Sequence, residues 1–365
     1  MMKNKVLMFS HELPPQGGGA GVVGLQYCCE LAEAGFEVTL LTKKKGAYPK
    51  ILKNVDIIGV TYIPKLYLIP YYFKLRNINL ADYKHIILND MVSVHVAGFC
   101  FSESELNKSI SFLHGSEPET VYRSPNIYQK LTCLNYFYSR AIQHVARIIS
   151  VSHYMKSKFL KETPFKNSDK IKVYHSKLGS DFFPMKPAPI KPRGKEEIDI
   201  ILTVSRIEKG KGFIEMYEVF KRLIESDNKF EWKIVGDGSF KHEFESIVKK
   251  DNLESYIHFE GKVERSSLRR YFESANVFWL LSNYKESFGL VYLEAQACYC
   301  PAIGYRRYGV IEAINENETG FLVSNAEQSI NIFINRDYEK LYENDYSYFL
   351  ELMHSHKIGG LFNDA

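Results

Sequence analysis

Four prolines crowd into nine residues, at Pro184, Pro187, Pro189 and Pro192. Proline fixes φ and lacks an N–H, so this stretch can be neither a helix interior nor a central strand. It cuts the 365-residue chain in two, and a chain of that length already favours two hydrophobic cores over one. The boundaries expected are a first domain over 1–185, a proline-rich linker over 186–197 and a second domain over 198–340. A C-terminal tail over 341–365 is expected to be helical and to return toward the first domain.

Strand-like runs alternate with helical patterns on both sides of the prolines. In the first half the runs 5–10, 37–42, 56–62, 85–89, 109–113 and 147–151 read as strands, with helical patterns over 20–34 and 128–146. In the second half strands are expected at 198–204, 232–236, 256–259 and 277–281. Helices are expected at 213–225, 241–250, 266–273 and 290–298. This alternation implies βαβ units and parallel sheets. In open sheets of that kind ligands bind at the carboxyl ends of the strands, so the loops that follow the strands are where chemistry is sought.

Charge separates the halves. Residues 1–190 carry 24 Lys and Arg against 14 Asp and Glu, a net +10, while residues 191–365 carry 23 against 29, a net −6. The basic charges are scattered and no nucleic-acid motif accompanies them, so nucleic acid is not the expected partner. An anionic membrane surface or an anionic acceptor fits better. The segment from Tyr62 to Arg76 interleaves aromatic rings with Lys65, Lys74 and Arg76, a pattern suited to a lipid headgroup layer. Packing of those rings on their own domain is the competing reading. Pro64 and Pro70 argue against one continuous helix there. No apolar run reaches the roughly 18 residues of a membrane span. The amino terminus passes from Met1-Met-Lys3 straight into a strand-like run, unlike a signal peptide. Cys28, Cys29, Cys100, Cys133, Cys298 and Cys300 show no metal-binding spacing and read as reduced thiols. A cytoplasmic protein, peripheral on the inner face of the membrane, is the expectation.

Glu286 and Glu294 flank seven residues that include Phe288, Gly289, Leu290 and Val291. The strand before them and the helix after place Glu286 and Gly289 in a βα loop and Glu294 about one turn into the helix. Glu286 can then reach hydroxyls of a sugar, the free N–H groups of the helix start can hold a diphosphate, and Glu294 can accept from a ribose. After the first strand of the second half stand Arg206 and Lys211, a guanidinium fork and a point charge, both suited to phosphate. Gly19-x-Gly21-x-x-Gly24 matches a dinucleotide fingerprint in letters only. Eight residues separate it from its strand, and the next strand ends toward Lys43 with no carboxylate for a ribose.

Together these segments resemble the retaining glycosyltransferases of the GT-B fold, in particular glycosyltransferase family 4, the Glu-x7-Glu group-1 type. The resemblance is strongest over 202–323 and at the amino terminus. It implies an α/β architecture of two doubly wound Rossmann-like domains facing each other across a cleft. It implies transfer of a hexose from a nucleotide diphosphate sugar, a UDP-sugar in preference to a GDP-sugar, with no cofactor and no metal. The acceptor implied is a hydroxyl of a surface glycan or glycolipid of lipopolysaccharide, O-antigen or capsule type. Glu286, His114, Arg206 and Lys211 take the catalytic positions. Gly19, Val263, Phe288, Gly289, Leu290, Val291 and Glu294 take the donor-binding ones. Gly17, Gly18, Glu117 and Arg307 are expected at the acceptor. Tyr308 and Ile311 stand where the family pattern has Gly and Pro, and Leu178 where it has Asn. Two readings from other classes stay open: a sugar-nucleotide epimerase of similar architecture, and a non-catalytic subunit that binds nucleotide sugars.

Overall fold

The computed structural model describes residues 4–14, 18–49, 52, 54–179, 181–182, 198–225, 229–354 and 358–362. The linker expected at 186–197 and Gly17 lie outside the described residues. Contacts divide the chain into a first unit, Met1–Lys177 with Ser355–Ala365, and a second unit, Leu178–His354.

The first unit is built on a seven-stranded parallel sheet of β1 (Lys5–Phe9), β2 (Glu37–Lys43), β3 (Val55–Val60), β4 (His85–Leu88), β5 (Ser109–Leu113), β6 (Arg147–Ser150) and β7 (Ile171–Val173). Their order across the sheet is β3-β2-β1-β4-β5-β6-β7. Strands β5 and β6 are buried at every residue, as expected where helices cover both faces. The periodic signal was clear for six of these strands and missed β7, which is three residues long and buries only Ile171.

Two departures from the sequence reading have local causes. The pattern over 128–146 breaks into helices Ile127–Leu131 and Leu134–His144, because Cys133 adopts a left-handed φ of 49° between them. The segment around Pro70 does form a helix, Leu68–Leu75. Pro70 sits in its first turn, where an N–H has no intrahelical acceptor to lose. Helix Met91–Cys100 carries an apolar residue at most positions, and an all-round apolar run gives no period to read.

The second unit holds a six-stranded parallel sheet of β8 (Asp199–Val204), β9 (Phe230–Val235), β10 (Ile257–Gly261), β11 (Val277–Leu280), β12 (Ala302–Tyr305) and β13 (Gly320–Val323). The order is β10-β9-β8-β11-β12-β13. Trp232 and Trp279 meet at 5.5 Å between ring centroids in its core. The Trp232 indole N–H donates to Thr203 Oγ1 at 3.0 Å, so burial of its polar atom is compensated. Residues 358–362 lie on the first unit. Arg147 donates to the carbonyls of Gly360 and Leu361, both at 3.1 Å, and Phe362 stacks on His85 at 4.0 Å. Each unit is thus a Rossmann-like domain in its own right.

Candidate active site

In each sheet the strand order reverses once, and the connections that follow the two strands at the reversal run to opposite faces of the sheet, leaving a crevice that their loops line. In the second unit that point lies between β8 and β11. A cavity of about 170 Å³ opens there. Val204, Ser205, Arg206 and Lys211 line it from the β8 side, and Leu280, Glu286, Gly289, Val291 and Tyr292 from the β11 side. Whole small-molecule ligands fill pockets of roughly 300–1,000 Å³, so this space suits part of a ligand.

The β8 loop runs Ser205 to Lys211 and closes in a tight turn over Lys209–Lys211. Gly212 follows with φ of 77°, and a Cβ there would lie 1.9 Å from the Leu281 carbonyl oxygen. Only glycine lets the two loops approach so closely. The approach brings Lys211 Nζ to Glu286 Oε1 at 2.6 Å. Ser282 donates to the same oxygen at 2.7 Å, and Lys211 also stands 5.5 Å from the centroid of the Tyr284 ring. The two residues expected to work on different parts of a ligand are therefore paired with each other. Arg206 points outward: its side chain is 71% exposed and its guanidinium bonds Glu208 at 2.6 Å.

Gly289, at φ of 103°, starts the helix Leu290–Gln296. Leu290 and Val291 are half-buried on its first turn, whereas Phe288 turns into the core. Glu294 lies one turn along with its side chain 6% exposed. Its Oε1 is held by Arg265 at 2.7 Å, and Arg265 Nε reaches Asp181 Oδ2 at 3.4 Å. Val263 is half-buried in the loop after β10, two residues before Arg265. One ion pair thus joins the β10 loop to Glu294. Sequence reasoning missed Arg265, although a cation opening a helix right after a βα loop was the available signal.

A third loop braces the cavity. The Gly309 N–H donates to the Glu286 carbonyl at 2.9 Å. Arg307 donates to Asn283 Oδ1 at 2.7 Å and lies 3.8 Å above the Tyr305 ring centroid, so its head is directed at the Glu286 loop. Tyr308 takes φ of 58°, the left-handed region that glycine would favour at that position. The loop keeps a glycine-like path without the glycine.

In the first unit the reversal lies between β1 and β4. Asp90, just past β4, accepts from the N–H of His11 at 2.5 Å and of Glu12 at 3.1 Å, and caps helix Met91–Cys100 through Ser93. Burial pushes its carboxyl up to about 6. Asn89 donates to Ser10 Oγ at 2.9 Å and to the Ala20 carbonyl at 2.8 Å. Its Oδ1 meets His114 Nε2 at 3.2 Å. Desolvation holds the His114 imidazole below its usual range, so the neutral ring is favoured. Glu117, expected at the acceptor, is instead 3% exposed and accepts from the N–H groups of His114 and Gly115, both at 2.7 Å. The Gly18 N–H donates to Glu12 at 3.0 Å, and Gly19 opens the helix Gly19–Glu33. Asn89 and Asp90 were not read from the sequence as site residues, though polar side chains ending an aliphatic strand marked them.

Two Rossmann-like units, each on a parallel sheet, with basic and acidic loops converging at the switch point of the second, define the architecture of a GT-B glycosyltransferase. The comparisons agree. Residues 17–176 match the model of Glycosyltransferase Family 4, and residues 187–342 match that of glycosyl transferases group 1. The chain belongs to this family of glycosyltransferases. It is 28% identical over 327 residues to an N-acetyl-alpha-D-glucosaminyl L-malate synthase of Bacillus anthracis, covering 84% of this chain and 81% of that protein. It is 26% identical over 127 residues to the amylovoran biosynthesis glycosyltransferase AmsK of Erwinia amylovora, 33% of this chain and 31% of that one. The structure of Anabaena Alr3699/HepE in complex with UDP-glucose superposes with a TM-score of 0.74 at 16% identity, over 98% of this chain and 96% of that one.

Proposed function

We propose that the protein is a retaining hexosyltransferase that uses a UDP-sugar and transfers its hexose to a hydroxyl of a bacterial surface glycan or glycolipid, without a metal. The observation that carries this reading is the cavity that Arg206, Lys211, Glu286 and Gly289 line. An anionic diphosphate would be drawn to Lys211 and Arg206, and Lys211 would exchange its bond to Glu286 for one to phosphate. That exchange leaves Glu286 free to bind sugar hydroxyls and to stabilise positive charge at the anomeric carbon. Negative charge growing on the leaving diphosphate is met by both cations and by the N–H groups from Gly289 onward. Glu294, oriented by Arg265, takes the ribose, and Val263 sits in the loop assigned to the base. His114, by its order among the motifs, is assigned to the reacting sugar. A UDP-sugar is favoured because the structural relative HepE holds UDP-glucose. A glycan acceptor is favoured because AmsK acts in amylovoran biosynthesis.

Kinetics on the Arg206→Ala and Lys211→Ala variants test the clamp. Each should lower kcat by about 100-fold while binding of uridine alone stays unchanged, because their partners are phosphates. The Lys211 variant should also lose the ion pair that presets Glu286. Unchanged kinetics in both would place the clamp elsewhere. Excess chelator should leave turnover intact, and its abolition by chelator would contradict the metal-free mechanism.

A further inference from the structure

One side of the first unit carries an exposed apolar face that its own core does not use. Helix Leu68–Leu75 buries Tyr71 and Leu75 on one side. Its other side presents Ile69 and Phe73, four residues apart, the latter 60% exposed. Leu66, in the turn before, continues that stripe and is also exposed. On helix Ile127–Leu131 the two end residues, again four apart, are each 78% exposed. Ring contacts connect these elements: Phe73 meets Tyr72 at 5.5 Å, Tyr72 meets Phe99 at 5.9 Å, Phe99 meets Phe137 at 5.1 Å, and Tyr128, on the helix Ile127–Leu131, meets Tyr67, next to Leu66, at 6.4 Å. Tyr136, 65% exposed, extends the row from Phe137 at 5.2 Å.

The charge of this surface is one-sided. Residues 61–80, 91–101 and 124–144 contain Lys65, Lys74, Arg76, Lys130 and Arg140 and not one Asp or Glu. Lys65, Lys74, Arg76 and Lys130 are exposed. A second copy packed on this face would set like charges against each other. Water gains nothing from eight or so bared apolar side chains. An anionic bilayer satisfies both properties at once, taking aliphatic and aromatic tips below its headgroups and pairing its phosphates with the cations.

We propose that this face docks the protein on an anionic membrane, with Leu66, Ile69, Phe73, Ile127, Leu131 and Tyr136 entering the interface. It refines the sequence reading, because Tyr67 and Tyr71 turn inward to His95 at 2.6 Å and His11 at 2.9 Å and leave the other exposed apolar side chains to make the contact. Docking of this kind would bring a lipid-borne acceptor to the protein, yet it is read without turnover, so it stands or falls apart from the transfer chemistry.

Co-sedimentation of the full chain with phosphatidylcholine vesicles, with and without phosphatidylglycerol, is the test. Binding should require phosphatidylglycerol and weaken with salt. The Phe73→Ser/Leu131→Ser double variant removes two bared side chains from solvent and should fold as before, checked by its melting temperature, while binding falls by at least about tenfold. Replacing Lys65, Lys74 and Arg76 by Ser should lower it by about 100-fold. Equal recovery in the supernatant with and without phosphatidylglycerol would overturn the proposal. So would binding untouched by either set of changes, or a dimer in sedimentation velocity that the Phe73→Ser/Leu131→Ser change dissolves.

Discussion

At the scale of single residues, the site is a set of ion pairs. Lys211 and Glu286 hold each other at 2.6 Å, and under the proposed function a phosphate would compete for the ammonium. Arg265 and Glu294 form the pair with the more buried carboxylate, and it has a structural cost if broken. Arg265→Ala would strand a carboxylate that is 6% exposed, so the second unit should lose about 3 kcal/mol of stability, measured by urea denaturation. The ring of Phe182, 5.3 Å from the Arg265 guanidinium, would lose that cation as well. A variant of wild-type stability would show that Glu294 finds another donor. Much of this was legible in the sequence: Arg206, Lys211, Glu286, Gly289 and Val291 all line one cavity. Arg265 and Asn89 were not, because each acts through a partner far away in sequence, 29 residues for Arg265–Glu294 and 25 for Asn89–His114, and no local pattern encodes such a pairing.

At the scale of elements, the first unit stores buried titratable groups around helix Met91–Cys100. Burial holds His95 and His11 down at about 4, against 6.5 for the free side chain. A depressed folded-state value means the neutral form is stabilised. That contribution is complete above pH 6.5 and is lost as pH falls toward 4. Asp90 works in the opposite sense: raised to about 6 from 3.8 by burial, it favours folding at low pH and loses that effect as pH rises through 6. A pKa displaced by one pH unit corresponds to about 1.4 kcal/mol, so the two histidines together outweigh the one carboxylate. Stability of the first unit should therefore fall between pH 6.5 and 4. Hydrogen exchange of helix Met91–Cys100 across that range would show it, and His95→Gln should flatten the dependence. Protection factors, corrected for the intrinsic pH dependence of exchange, that stay constant from pH 6.5 to 4 in the wild-type protein would contradict the buried-histidine account. The elements themselves were read best where apolar residues recur at a regular spacing among polar ones, as at β5 and the helix Phe213–Glu225. They were read worst where nearly every residue is apolar, as in Met91–Cys100, or where one left-handed residue splits a pattern, as at Cys133.

At the scale of the whole molecule, the proline cluster and the twofold restart of strand and helix announced two parallel-sheet units, and both are present. The strand orders were not legible, since periodicity says which residues are strands and nothing of their neighbours. Yet the orders fix where chemistry sits, because the loops after β8 and β11 converge only through that reversal. The central claim is that this convergence transfers a hexose from a UDP-sugar with retention, through Glu286. The direct measurement is proton NMR of UDP-glucose incubated with the protein in chelator, water standing in for the acceptor, beside the Glu286→Ala variant. The wild-type protein should release UDP and glucose first as the α anomer, and the variant should be slower by about 100-fold or more. Glucose appearing first as the β anomer, or a Glu286→Ala variant that turns over at the wild-type rate, would contradict the account.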